Sequence, residues 1–254
     1  MMTHSFTRLL AVAVVCALCI HARAEEPATL MTTRGKLLLS EDFDKPLAAF
    51  TGRPVGFASG FEGWKYNAGP ATGKSGMWRL ADGCFTGIES PEAHHPATAS
   101  HGMKFQNAII QCEVRLNYVP AEGRQYRSFF VKTTDEKDYV CAVFGSTSGI
   151  NALAYDDRHA DPKTKQRAKL PAVPLSSPGK LNEWRTVVLE IYGDELVATL
   201  DGRSITLRSP LLAAPKHSIM LGAGTEASFR HLRVWEALPN AQWEQHRAAL
   251  PKKK

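Results

Sequence analysis

Titratable and hydrogen-bonding side chains gather at three places in the chain. The first is Glu92-Ala93-His94-His95-Pro96, followed by His101. Imidazoles beside a carboxylate can hold a metal, act as acid and base, or bond a polar ligand. This spacing matches no established zinc motif, and Pro96 favours an extended or turned backbone at His95, so the two rings diverge. The second is Tyr155-Asp156-Asp157-Arg158-His159-Ala160-Asp161. Its carboxylates suit calcium, which takes about six to eight oxygens, or sugar hydroxyls, or plain solvation. The third, Arg124-Gln125-Tyr126-Arg127, sets a planar ring beside two guanidinium forks. That mix fits sugar faces and carboxylates, and equally a strand-edge ion pair.

Other chemistries lack their residues. Past the N-terminal apolar run, which holds Cys16 and Cys19, the chain has no Gly-rich phosphate loop, no Cys-x-x-Cys pair and no Gly-x-Ser-x-Gly elbow, which leaves nucleotides, structural zinc and serine hydrolysis unsupported. The reading is of a ligand-contacting surface made by His94, His95, Tyr126, Arg127, Asp156, Asp157 and His159, with no metal or cofactor and no catalytic residue singled out. His94 or His95 and the Asp156–His159 loop are expected to meet in one polar pocket, since rims of β-sandwiches gather distant loops.

Strands must position these groups. Period-two alternation is clearest from Ile110 to Tyr118, where Ile110, Cys112, Val114, Leu116 and Tyr118 point one way and Gln111, Glu113, Arg115 and Asn117 the other. Similar runs occur at 127–132, 138–144, 184–192, 196–200, 205–207, 218–221 and 229–235. Asp82-Gly83 and Asp201-Gly202 each separate two such runs, and an Asp-Gly pair accepts the positive φ angles of a tight hairpin. Tyr192-Gly193-Asp194-Glu195 marks a looser turn. Many short strands between turns predict an all-β, two-sheet antiparallel sandwich. Trp64, Tyr66 and Trp78 are expected in its core. A short C-terminal helix is expected after an Asn240 cap, docking Trp243 on the sandwich.

The N-terminus carries an address. Arg8 precedes the apolar run Leu9–Ile20, and Ala22-Arg23-Ala24 supplies small residues where a signal peptidase cuts. The run is too short to span a bilayer, which needs about 20 residues. The expected layout is a signal peptide at 1–24, a flexible leader at 25–35, the sandwich at 36–236, and a helix with a basic tail at 237–254. Localisation outside the cytoplasm follows. Of the formal charge of +6, Arg8 and Arg23 lie in the expected signal peptide and Lys252, Lys253 and Lys254 in the tail. The folded body is therefore near neutral and shows no basic stripe for nucleic acid. Three cysteines remain after processing: Cys84, Cys112 and Cys141. The latter two sit on apolar sides of strands, as buried thiols or as a bridge.

Particular segments resemble a known fold family. Glu183-Trp184-Arg185-Thr186-Val187-Val188-Leu189-Glu190-Ile191, then Leu196-Val197-Ala198-Thr199-Leu200-Asp201-Gly202, is similar to paired strands of the concanavalin A-like lectin/glucanase jelly roll. Leu39-Ser40-Glu41-Asp42-Phe43-Asp44 resembles its opening strand and Phe229-Arg230-His231-Leu232-Arg233-Val234-Trp235 its closing strand. Trp78-Arg79-Leu80-Ala81-Asp82-Gly83-Cys84 resembles the exported bacterial 3-keto-disaccharide hydrolase-like domains. The resemblance implies carbohydrate as partner, with or without hydrolase-type activity; a non-catalytic adhesion or structural module is the alternative. The Glu-x-Asp-x-x-Glu strand of laminarinase-type members is missing from the sequence.

Overall fold

The computed structural model describes residues 26–44, 58–59, 63–67, 69, 71, 76–92, 95–118, 127–135, 139–154 and 172–250. Their strands form two antiparallel sheets of eight strands each, face to face. Sheet A contains β1 (Thr32–Glu41), β4 (Met77–Ala81), β5 (Cys84–Ile88), β7 (Ala108–Leu116), β12 (Trp184–Tyr192), β13 (Glu195–Leu200), β14 (Arg203–Arg208) and β16 (Glu226–Pro239). Its order is β14-β13-β12-β7-β16-β5-β4, with β1 also on β16. Sheet B contains β2 (Ala58–Ser59), β3 (Trp64–Tyr66), β6 (Ala97–Phe105), β8 (Ser128–Thr134), β9 (Tyr139–Ser146), β10 (Gly149–Ala154), β11 (Ala172–Ser176) and β15 (Lys216–Gly224), in the order β11-β10-β9-β8-β15-β6-β3-β2. This is a concanavalin A-like jelly-roll sandwich. Among the described residues no helix is long and apolar enough to cross a membrane.

Local chemistry explains the turns. Asp82 and Gly83 have φ of 52° and 66°, and Asp201 and Gly202 have 48° and 77°, so both pairs make the two-residue hairpins their types favour. A bulge does larger work in β16. Its register on β7 slips between Arg230 and Arg233, and His231 between them has φ of 50°. Before the bulge β16 pairs with β5, and after it with β1, so one long strand serves two neighbours.

Alternation decides the core. Ile110, Cys112, Val114 and Leu116 all face between the sheets, while Tyr118 lies past the end of β7 and is 58% exposed. Trp64, Tyr66 and Trp78 are buried with Phe43, Phe85 and Phe229, their rings meeting at offset or edge-on angles with centroids 4.5 Å (Trp78–Phe85) to 6.0 Å (Phe43–Trp64) apart. Cys112 and Cys141 are free thiols buried in opposite sheets. Burial pushes the Cys112 thiol up to about 12, as expected of an inert small hydrophobe.

The ordered domain starts earlier than the leader boundary suggests. β1 begins at Thr32, and Glu190 accepts hydrogen bonds from the Leu30, Met31 and Thr32 amides and the Thr32 hydroxyl at 2.7–2.9 Å. Asn240 and His246 bond the Leu30 carbonyl from the other end of the chain. The helix α1 covers Trp243–Ala249 with Gln242, not Asn240, at its cap. Asn240 instead accepts the Gln242 amide and closes the turn before it. Trp243 docks as expected, its Nε1 donating to Glu195 at 3.2 Å.

Candidate functional site

The outer face of sheet B follows from the same alternation. On β8, Phe129, Val131 and Thr133 face inward or are buried in the sandwich, so Ser128, Phe130, Lys132 and Thr134 face out. Pairing across the strands arranges the outward residues in rows. One row is Thr98–Gly222–Phe130–Phe144–Asn151–Pro174. Beside it runs Lys65–Ser100–Met220–Lys132–Ala142–Leu153. On its other side lies Gly224–Ser128–Ser146–Gly149–Ser176.

An aromatic and cationic centre therefore sits among small and hydroxylic neighbours. Phe130 and Phe144 meet at 5.6 Å between centroids, and the Lys132 ammonium lies 3.9 Å and 4.9 Å from the two rings. Such a cation over a ring face is attracted by the ring quadrupole. Glycine at 222 is required here, since a Cβ would collide with the Phe130 ring lying over it. Phe130 and Lys132 are buried, while Phe144 keeps 37% of its surface exposed.

Charge separates the two sheets. The strands of sheet B contain four lysines (65, 104, 132 and 216) and neither aspartate nor glutamate. Glycoside hydrolysis by the common route needs two carboxyl groups roughly 5–9.5 Å apart across the bond. On sheet A three outward carboxylates are committed elsewhere: Glu113 to Arg230 at 2.6 Å, Glu226 to Arg79 at 3.3 Å, and Glu190 to the N-terminal segment.

Two of the expected contact residues fall on the rim of sheet B. His95 enters β6, exposed, with Nδ1 2.9 Å from the Pro96 carbonyl oxygen. Arg127 enters β8 with its guanidinium 5.6 Å from the Tyr118 ring centre. These entrances share one end of the sheet, because Ala97 and Ser128 pair with Ala223 and Gly224 on β15 between them. His94, Tyr126, Asp156, Asp157 and His159 lie outside the described residues. The loop bearing the last three leaves β10 at Ala154, which pairs with Cys141, itself paired with Thr133. Its anchor is therefore at the far end of the strands, roughly 17 Å from the His95 and Arg127 end.

The described histidines of the Glu92–His101 cluster part company. His101 turns inward against Trp64, with ring centres 5.4 Å apart, while His95 stays at the surface. Among the described residues no three His, Cys, Asp or Glu side chains form a metal-holding group.

No protein-family model matches this chain, and no curated protein matches its sequence. Solved structures do match its shape. A non-specific endo-β-1,3(4)-glucanase from family GH16 superposes with a TM-score of 0.55 and 10% identity, over 83% of this chain and 98% of that one. The carbohydrate-binding module CBM66 from Bacillus subtilis gives 0.50 and 12%, over 68% and 96%. A GlcNAcα1-4Gal-releasing endo-β-galactosidase from Clostridium perfringens gives 0.52 and 12%, over 82% and 65%. At such identities the likeness is one of fold: this is a concanavalin A-like sandwich. It leaves the chemistry to the side chains.

Proposed function

We propose that this chain is an exported carbohydrate-recognising domain that binds its glycan along the outer face of sheet B and does not cleave it there. One observation carries the reading: the half-exposed Phe144, beside Phe130, lies between a row of serines and glycines and a row holding Ser100, Met220 and Lys132, on strands that hold no carboxylate. Sugars offer apolar C–H faces and a hydroxyl edge, so an aromatic floor with hydrogen-bonding borders suits them. The fold neighbours named for a carbohydrate-binding module and for glycan-cleaving enzymes support the same ligand class. His95, Arg127 and the exposed Tyr118 would bound one end of the track.

Export rests on the Arg8, Leu9–Ile20 and Ala22-Arg23-Ala24 order. A glycan array on the mature protein, followed by a sugar-release assay on every bound glycan, tests the proposal. Binding without released sugar is expected; release of sugar, or an array with no binding at all, would overturn it.

A further inference from the structure

The outer face of sheet A has its own cleft. A cross-strand row there runs Arg79–Thr86–Ser228–Arg115–Trp184. Its two short residues, Thr86 and Ser228, lie between long ones, so the row encloses a hollow of about 550 Å³ instead of forming a ridge. Arg79 and Arg115 stand three strands apart, roughly 14 Å at the backbone.

The floor is internally satisfied. Thr86 and Ser228 hydroxyls lie 2.8 Å apart, and Asn117 Nδ2 donates to Ser228 at 2.8 Å and to Glu226 at 2.9 Å. The walls are not. Arg115 lies 4.6 Å from the Trp184 ring centre and spends Nε on Asn117 at 2.9 Å. Its terminal nitrogens meet no carboxylate among the described residues, unlike those of Arg79, whose Nη2 pairs with Glu226 at 3.3 Å. Asp82, exposed on the hairpin turn, likewise lines the cleft without a cationic partner there.

We infer that this cleft binds a neutral polyhydroxylated ligand, a single sugar unit or a polyol, between the donors of Arg115 and the acceptors of Asp82. Two cations (Arg79 and Arg115) and two carboxylates (Asp82 and Glu226) line it. An anionic ligand would face the carboxylates and a cationic one the guanidiniums. A hydroxyl group both donates and accepts, so it meets both signs without penalty. The volume lies within the range of small-ligand sites, roughly 300–1,000 Å³. The site is on the opposite side of the sandwich from sheet B and stands independently of the proposal made for that face.

Amide NMR of the mature protein tests this with glucose, galactose, mannose and sorbitol, and with glucuronate and glucosamine as charged counterparts. At least one neutral compound should shift the Arg115 Nε–H and Asn117 side-chain signals. Asp82→Asn keeps a residue that accepts the positive-φ turn, and Arg115→Gln keeps a polar side chain. Each should weaken that binding about tenfold, while Phe144→Ala on the other face should leave it unmoved. The inference falls if no neutral compound moves these signals at tens of millimolar, if a charged counterpart binds more tightly, or if Asp82→Asn binds as well as wild type.

Discussion

Sheet A and sheet B share a core but differ on their outer faces. Sheet A has carboxylates facing out, and it uses them to hold the protein together: Glu113 and Glu226 pair with arginines, and Glu190 fastens residues 30–32. A small second apolar cluster of Ile109, Val188, Trp235 and Ala237 lies on this face, with Arg34 stacked 4.7 Å from the Trp235 ring. Sheet B has no acidic strand residue and keeps its aromatic pair beside serine, threonine and glycine. One sandwich thus carries its carboxylate ties on one outer face and an aromatic pair on strands free of carboxylates on the other.

The largest expected effect tests the core that both faces share. Val114 is buried between the sheets, whereas Glu113 beside it faces out toward Arg230. Val114→Asp should cost about 3–5 kcal/mol by burying an unpaired charge, against about 1 kcal/mol or less for Glu113→Gln. Denaturant melts of both variants measure this; equal losses would mean the register of β7 is misassigned.

Next comes the cohesive face. Burial pushes the Glu190 carboxyl up, while its four hydrogen bonds from residues 30–32 pull it back. Glu190→Leu strands those donors and should cost about 2–3 kcal/mol. Hydrogen exchange should speed up at Leu30, Met31 and Thr32 and stay unchanged at β8. Uniform acceleration would contradict a local anchor.

A pH experiment sharpens the contrast inside sheet B. Lys216 is fully buried, with Nζ donating to Gln106 O at 2.7 Å and to Leu212 O. Burial lowers its pKa from 10.5 to about 8. Between about pH 8 and 10.5 the unfolded chain holds this proton and the folded chain does not, so folding stability rises with pH in that window. Wild type should gain on Lys216→Met as pH climbs through the window. Parallel pH profiles would show that burial does not strain the ammonium.

Much of the fold was legible because periodicity and turn chemistry are local. Ile110 to Leu116 and the two Asp-Gly hairpins needed only neighbouring residues to declare themselves. Tyr118 broke the pattern because β7 ends at Leu116, and a side chain beyond a strand end no longer follows its alternation. The hold on residues 30–32 is invisible to local patterns because Glu190, which makes it, is 160 residues from Leu30 in sequence.

The contact face was harder to read. In Ser128-Phe129-Phe130-Val131-Lys132 both faces carry bulk, so the sequence does not distinguish the core ring from the outward one. Gly222 beneath Phe130 is the needed clue, and only strand pairing connects them. Polar loops such as Glu92–Pro96 and Tyr155–Asp161 stand out in sequence, but each hairpin reverses the chain and decides which end of the sheet a loop serves. The β9–β10 hairpin sends the second loop's anchor away from His95 and Arg127.

The central claim is that glycan binds the outer face of sheet B. Isothermal titration with the tightest array ligand should compare wild type, Phe144→Ala and Arg203→Ala, the last an exposed position on sheet A. Phe144 is already 37% exposed, so trimming it should leave folding nearly intact. The account predicts about tenfold weaker binding for Phe144→Ala, from the lost aromatic contact, and wild-type affinity for Arg203→Ala. Unchanged affinity in Phe144→Ala, or a loss confined to Arg203→Ala, would contradict it.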